Sequence, residues 1–166
     1  MRYLPWAPDA ILFWRLDKKT RAPSWDTGKG AESVGGRWNP KGYAVVYGSV
    51  DPSTAVLEVA VHNGFDALDA VPHVLTCAEI LDVHDVHVVE ASTFPNSNWL
   101  APGTPGHSQQ LFGKSLLQQH PFIAIQSAVL PQSWNLIFNP VMASSKYKLR
   151  SQEPYALDTR LNPPVP

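Results

Sequence analysis

Proline restricts this chain more than any other residue type: it occurs sixteen times in 166 residues, about twice the usual frequency of roughly 5%. Each proline removes a backbone donor and fixes φ, which disfavours long helices and unbroken central strands. The segments between prolines are short and apolar. Residues 11–16 (ILFWRL) read as a strand with Ile11, Phe13 and Arg15 on one face. Residues 20–42, rich in Gly, Ser, Trp and charge, read as a long ordered loop. Residues 43–48 read as a second strand, with Tyr43, Val45 and Tyr47 on one face. Asp51 followed by Pro52 is an N-cap signal and Gly64 a stop; TAVLEVAVH between them reads as a short, largely buried helix. Further strands are expected at 73–80, 86–89, 122–130 and 134–138, a helix at 109–119, and a Pro/Asn/Gly loop with Trp99 at 95–105. Strands outnumber helices and no linker divides two cores. The expectation is one α+β domain over residues 1–150, a curved central β-sheet with flanking helices, then a proline-rich surface tail over 151–166.

Composition narrows the class. Apolar residues make up 44% of the chain, enough for a full core, and charged residues only 16%, against roughly 25% in ordinary domains. A net charge of −1 disfavours generic nucleic-acid binding. The single cysteine, Cys77, excludes an internal disulfide and fits a reducing compartment. No apolar run reaches membrane-spanning length, and MRYLPWAPDA has no signal-peptide pattern. A cytoplasmic protein is expected, with no membrane contact.

Charge is unevenly distributed. From Arg15 to Lys41 seven basic residues (Arg15, Lys18, Lys19, Arg21, Lys29, Arg37, Lys41) face three acids. From Asp51 to Glu90 there are eight acids and no Lys or Arg. The first segment is a candidate anion site and the second a candidate surface for a cationic partner; scattered solvated faces would read the same way.

Several familiar motifs fail. Gly113-Lys114-Ser115 ends like a phosphate-binding loop, but Ser108 stands where that motif needs glycine. Gly28-Lys29-Gly30 continues to Ser33 where a dinucleotide fingerprint requires glycine. His84 and His87, with Cys77 and His73, suggest zinc, yet strand residues three apart face opposite ways, so no metal is expected. Cys77, in an apolar strand, reads as a buried structural thiol.

Four residues carry chemistry. Glu58 sits mid-helix among apolar neighbours, on a face shared with Ala55, Val59 and His62. It must pair, with His62 at the helix rim, or point into a cavity. Arg15 ends an apolar strand face and needs an anion, a structural carboxylate or a ligand phosphate. Arg37 lies in a Gly-Gly-Arg-Trp-Asn-Pro-Lys-Gly segment (35–42), where glycines permit close backbone approach and guanidinium suits phosphate; a surface arginine in a turn is the alternative. Ser127 falls on the face of Ile123 and Ile125, a place for a hydroxyl with a partner or for a satisfied core serine.

Residues 35–42, then Val-Val-Tyr-Gly-Ser (45–49) and Thr-Ala-Val-Leu-Glu-Val (54–59), resemble the amino half of a RES domain. Asn98-Trp99, a Gln-rich helix with Gly113, Ser127-Ala-Val-Leu-Pro131 and Asn135-Leu-Ile-Phe-Asn-Pro140 resemble the carboxy half. The likeness spans roughly residues 10–145. Two positions depart from the family: Gln126 stands where proline commonly precedes the serine, and Val141 where histidine often follows Asn139-Pro140. The resemblance implies a fold related to ADP-ribosyltransferases and a toxin of a RES–Xre type toxin–antitoxin system. The implied chemistry is cleavage of the nicotinamide–ribose bond of NAD+ by hydrolysis or phosphorolysis, with ADP-ribosylation of a protein target as the alternative activity and a non-catalytic binding module as the rival class. It further implies Arg37, Tyr47 and Glu58 as catalytic residues and Arg15, Trp38, Ser127 and Asn135 as NAD+-binding ones. The partner implied is an Xre-type antitoxin that occludes the cleft, with DNA reached only through that partner.

These roles suit the residues. A carboxylate stabilises an oxocarbenium-like ribosyl cation, a tyrosine ring suits the pyridinium, and arginines suit the diphosphate.

Overall fold

The computed structural model describes residues 10–165; the leader reading falls on residues 1–10 and so lies almost wholly outside them. Seven strands form one sheet in the order β4-β5-β6-β2-β1-β3-β7. They are β1 (Ile11–Lys18), β2 (Val46–Ser49), β3 (His73–Ile80), β4 (Val86–Val88), β5 (Phe122–Gln126), β6 (Trp134–Phe138) and β7 (Tyr147–Tyr155). Neighbours are antiparallel except β4 and β5. Four α-helices accompany them: α1 (Lys29–Val34), α2 (Pro52–Asn63), α3 (Phe65–Ala70) and α4 (His107–Leu117). The α+β class and the curved mixed sheet are as the sequence suggests.

Alternation along the strands sends apolar side chains to both faces. On one face, Phe13, Trp25, Phe122, Phe138 and Tyr147 meet in tilted and edge-on pairs at 5.1–6.5 Å, geometries that match ring quadrupoles. On the other, Ile123, Ile125 and Ile137 pack against Trp38, Trp99 and Leu117 of α4. A smaller cluster of Leu16, Leu68 and Leu157 seats α3 beside β1.

The seam between β1 and β2 shapes the molecule. β1 pairs with β3 along eight residues, but registers with β2 through the single pair Trp14↔Ser49. Gly48 permits even that approach, since a Cβ there would lie 3.0 Å from Phe13 Cδ2 and from the Trp14 carbonyl. Beyond this pair the strands diverge, and α2 lies across the opening. Asp51 caps α2, accepting from Thr54 N at 2.8 Å and Thr54 Oγ1 at 2.6 Å, while Ser133 Oγ donates to the same carboxylate at 2.7 Å. The cap therefore also ties α2 to the turn before β6.

Several expected boundaries shift. The loop expected at 20–42 contains a 3-10 helix (Lys19–Ser24) and α1. The strand expected at 122–130 stops at Gln126, because Ser127 Oγ accepts from Val129 N and Leu130 N and folds the chain into a turn. The helix over 54–62 is less buried than expected: only Thr54 and Ala55 are fully covered. The segment after Arg150, expected as a tail, continues β7 along β3 to Tyr155, and Leu157 is buried. The boundary between 150 and 151 thus falls inside a strand.

Candidate active site

A cavity of about 590 Å³ opens where β1 and β2 part, lined by Arg15, Arg37, Tyr47, Glu58 and Asn135 among others. It gathers residues from β1, the 35–38 turn, β2, α2 and β6. Four of the seven basic residues between Arg15 and Lys41 line it, namely Arg15, Lys18, Arg21 and Arg37. The α2 residues that reach it include Ala55, Glu58, Val59 and His62, the face that helical spacing picks out.

Glu58 is oriented from the sheet. Its Oε1 accepts from Ser127 Oγ at 2.7 Å and from Asn135 Nδ2 at 2.5 Å. Asn135 is itself fixed, its Oδ1 accepting from Ser49 Oγ at 2.8 Å. Both bonds to Glu58 fall on Oε1, so Oε2 has no hydrogen-bond partner among the described residues. The carboxylate is thus presented to the cavity rather than paired with His62. Ser127 is fully buried and absent from the cavity wall; it acts on Glu58 and offers no surface to a ligand. Asn135 does both, lining the cavity and holding the carboxylate.

Tyr47 lines the cavity, and its hydroxyl is locked by two partners. The hydroxyl donates to Asn39 Oδ1 at 2.6 Å and accepts from Trp38 N at 3.0 Å. Burial pushes its pKa well up, and the Trp38 N–H and the Arg37 charge draw it only partly back. The phenol stays neutral and serves as a fixed ring, unsuited to proton transfer. Asn39, fully buried, also donates to the carbonyls of Ala31, Pro40 and Tyr43, so one side chain ties α1, the 35–42 turn and Tyr47 together. Gly36 has to be glycine, because a Cβ would stand 2.6 Å from the Tyr47 hydroxyl.

The arginines differ. Arg15 and Asp17 share a strand face, and Asp17 accepts from Nε and Nη2 at 2.8 Å each; Arg15 Nη1 donates to the Tyr47 carbonyl at 2.8 Å. The anion that Arg15 requires is therefore a structural carboxylate, itself only 7% exposed. Arg37 donates to the carbonyls of Trp99, Ala101 and Gly103 at 3.2–3.4 Å, which anchor the guanidinium without cancelling its charge. Trp38, implied as a ligand contact, borders the cavity but is only 2% exposed, with its side chain packed in the core. Its aromatic neighbours Phe94 and Trp99 stack at 3.9 Å and brace the loop that carries Arg37's acceptors.

Sequence reasoning missed Asp17, Ser49 and the positioning role of Asn39. An Arg-x-Asp spacing on a strand, which places both side chains on one face, was the available signal for Asp17. The residues considered for zinc are far apart. His87 on β4 stacks on His120 at 4.0 Å, whereas Cys77 and His73 lie on β3, five strand spacings or roughly 24 Å across the sheet. Cys77 is half-buried, and burial raises its thiol pKa, consistent with an unreactive group.

The sequence and the architecture are similar to those of known proteins. A protein of Yersinia enterocolitica named Toxin Res is 33% identical over 155 residues, covering 91% of this chain and 99% of that one. A Sphingobium protein named Prs ADP-ribosylating toxin is 28% identical over 158 residues, covering 90% of this chain and 95% of its own. The toxin–antitoxin complex of Mycobacterium tuberculosis, MbcT–MbcA, contains a chain of the same fold, with a TM-score of 0.70, 16% identity and coverage of 89% and 85%. The family model for the RES domain matches residues 12–158, from the first strand of the sheet through the last and with every residue of the cavity wall inside it; the chain belongs to the RES domain family.

Proposed function

We propose that this chain is the toxin of a toxin–antitoxin pair and that it breaks the bond between nicotinamide and ribose in NAD+. The observation that carries the reading is the Glu58 carboxylate, held by Ser127 and Asn135 at the wall of a cavity that also presents the Tyr47 ring and basic side chains. NAD+ joins a cationic ring to a ribose and a diphosphate, and the wall offers an aromatic face, a carboxylate and cations for these parts.

In the reaction the C1′–N1 bond breaks and its electron pair leaves with neutral nicotinamide. The positive charge passes to the ribosyl C1′–O4′ unit. Glu58, fixed before the substrate arrives, stabilises that charge through Oε2 without reorganisation. An acceptor then bonds to C1′ and releases its proton. The Tyr47 ring suits the pyridinium by stacking and cation–π attraction.

Water and phosphate are the acceptors favoured here. A protein side chain is the second reading, supported by the likeness to the Sphingobium toxin whose name records ADP-ribosylation of Prs. The likeness to the MbcT–MbcA toxin–antitoxin complex supports an antitoxin partner; we propose that it is of Xre type, covers the cavity and carries any DNA contact. Much of the acidic segment 51–90 is already engaged: Glu58 faces the cavity, Asp51 caps α2, Asp85 pairs with Lys146, and Glu79 lies beside Lys148 and Arg150. That leaves Asp66, Asp69, Asp82 and Glu90 as the stretch's other acids, all four exposed. Cytoplasmic residence fits this role; among the described residues no helix is long and apolar enough to cross a membrane.

Incubating purified protein with NAD+, with and without inorganic phosphate, tests the reading. Nicotinamide with ADP-ribose is the expected product pair in plain buffer, and a phosphorylated ribosyl product appears if phosphate is the acceptor. Nicotinamide release only when a protein target is added would move the assignment to the transferase reading; no release under any condition would leave a binding module.

A further inference from the structure

The diphosphate of the proposed substrate needs positive charge, and the cavity does not supply it where the arginines of the resemblance would put it. Arg15 is neutralised by Asp17 through two bonds of 2.8 Å, and its remaining described bond goes to the Tyr47 carbonyl. Turning Arg15 toward a phosphate would strand a carboxylate that is 7% exposed, a costly exchange. Arg37 keeps its charge, but its guanidinium is spread over three carbonyls of the 99–103 loop.

Lys18 and Arg21 also line the cavity. Both are exposed, and neither has a carboxylate partner among the described residues. Lys18 closes β1 opposite His73, and Arg21 lies in the following 3-10 turn with its guanidinium against Gly30 of α1. His62, His73 and Asn63 complete this arm of the wall. Lys18 stands three residues from Arg15, roughly 10 Å along the strand. The cavity is thus polar along its length, with a carboxylate and an aromatic ring in one part and two uncompensated cations in another. NAD+ has the complementary polarity, a cationic ring separated by one ribose from two phosphates.

Resting on the NAD+ reading above, we propose that Lys18 and Arg21 form the diphosphate-binding arm of the cavity, and that Arg15 is a strut joining β1 to β2. Losing two charge-assisted contacts weakens diphosphate binding about tenfold or more. The Lys18→Ala/Arg21→Ala protein is therefore expected to bind ADP-ribose at least about tenfold more weakly by calorimetry. Its KM for NAD+ rises while kcat changes little, because the contacts are remote from the bond that breaks. Lys18→Arg/Arg21→Lys, which preserves both charges, restores affinity, and Lys19→Ala/Arg160→Ala, which removes two charges outside the cavity wall, leaves it at the wild-type value. Unchanged ADP-ribose affinity in Lys18→Ala/Arg21→Ala, or an equal loss in the Lys19/Arg160 control, overturns the arm. Wild-type protein that binds ADP-ribose through the arm yet releases no nicotinamide would sink the cleavage reading and keep the arm. Wild-type protein that releases nicotinamide while the double variant keeps its KM would do the reverse, and wild-type protein that does neither ends both.

Discussion

At Tyr47 a single hydroxyl joins the two halves of the site. It satisfies a backbone N–H at Trp38 and the side chain of Asn39, while the residue itself lines the cavity. Tyr47→Phe keeps the ring and orphans two buried partners, so it should lower unfolding free energy by about 1–3 kcal/mol, read from a urea melt, with nicotinamide release reduced less than by loss of the ring in Tyr47→Leu. The same residue sets an alkaline limit. An unfolded tyrosine ionises near 10.0, whereas burial holds the Tyr47 pKa higher in the folded protein; Tyr147, half-buried and donating to Asp26, is raised as well. Above pH 10 the unfolded chain loses protons that the folded chain retains, so stability should fall as pH rises from about 10. A thermal midpoint flat between pH 9 and 11 would contradict this. Arg15 shows where residue-level reading stops: the need for an anion is evident from an arginine on an apolar strand face, but the choice between Asp17 and a phosphate is a matter of geometry.

Among the elements, α2 carries the most information. Its cap, proline and stop are plain in Asp51, Pro52 and Gly64, and the face holding Glu58 follows from 3.6-residue spacing. What spacing does not reveal is the partner surface, because Ser127 and Asn135 lie 69 and 77 residues away in the chain. The Asp51 cap is the link: desolvation works against its charge, but hydrogen bonds from Thr54, Ser133 and Ser53 outweigh that and hold its pKa below the usual value. Asp51→Ala should cost about 1–2 kcal/mol in a chemical melt. It should also reduce kcat more than that loss alone implies, because α2 is no longer pinned to the turn before β6. A variant with intact kcat would show that Glu58 is positioned without the cap. β7 was illegible for a different reason. Cys77 pairs with Ser151 and Ala78 with Leu149, so Arg150 is an extra residue in a bulge. The bulge sends Tyr147 to the aromatic core and Tyr155 to the Leu16 cluster on the opposite face. An eight-residue separation would otherwise keep them on one side, so no period-2 pattern survives, and Pro154 with Lys148 and Arg150 further disguises an edge strand as a tail.

For the whole molecule, prolines and short apolar segments make an α+β domain readable, and the near-neutral total charge conceals a basic segment, four of whose seven basic residues line one cavity. The order of strands is not readable in this way. Placing β2 between β1 and β6 is what brings Glu58 to Asn135, and that adjacency depends on packing of segments far apart in the chain. In the proposed function, this cavity breaks the nicotinamide–ribose bond with Glu58 as the charge-stabilising group. The most direct test measures nicotinamide released from NAD+ by wild-type protein and by Glu58→Gln, which keeps size and an acceptor for Ser127 but removes the charge. The expected result is release by the wild type and a loss of at least about 100-fold in Glu58→Gln with the thermal midpoint unchanged. Equal release by a folded Glu58→Gln protein would contradict it.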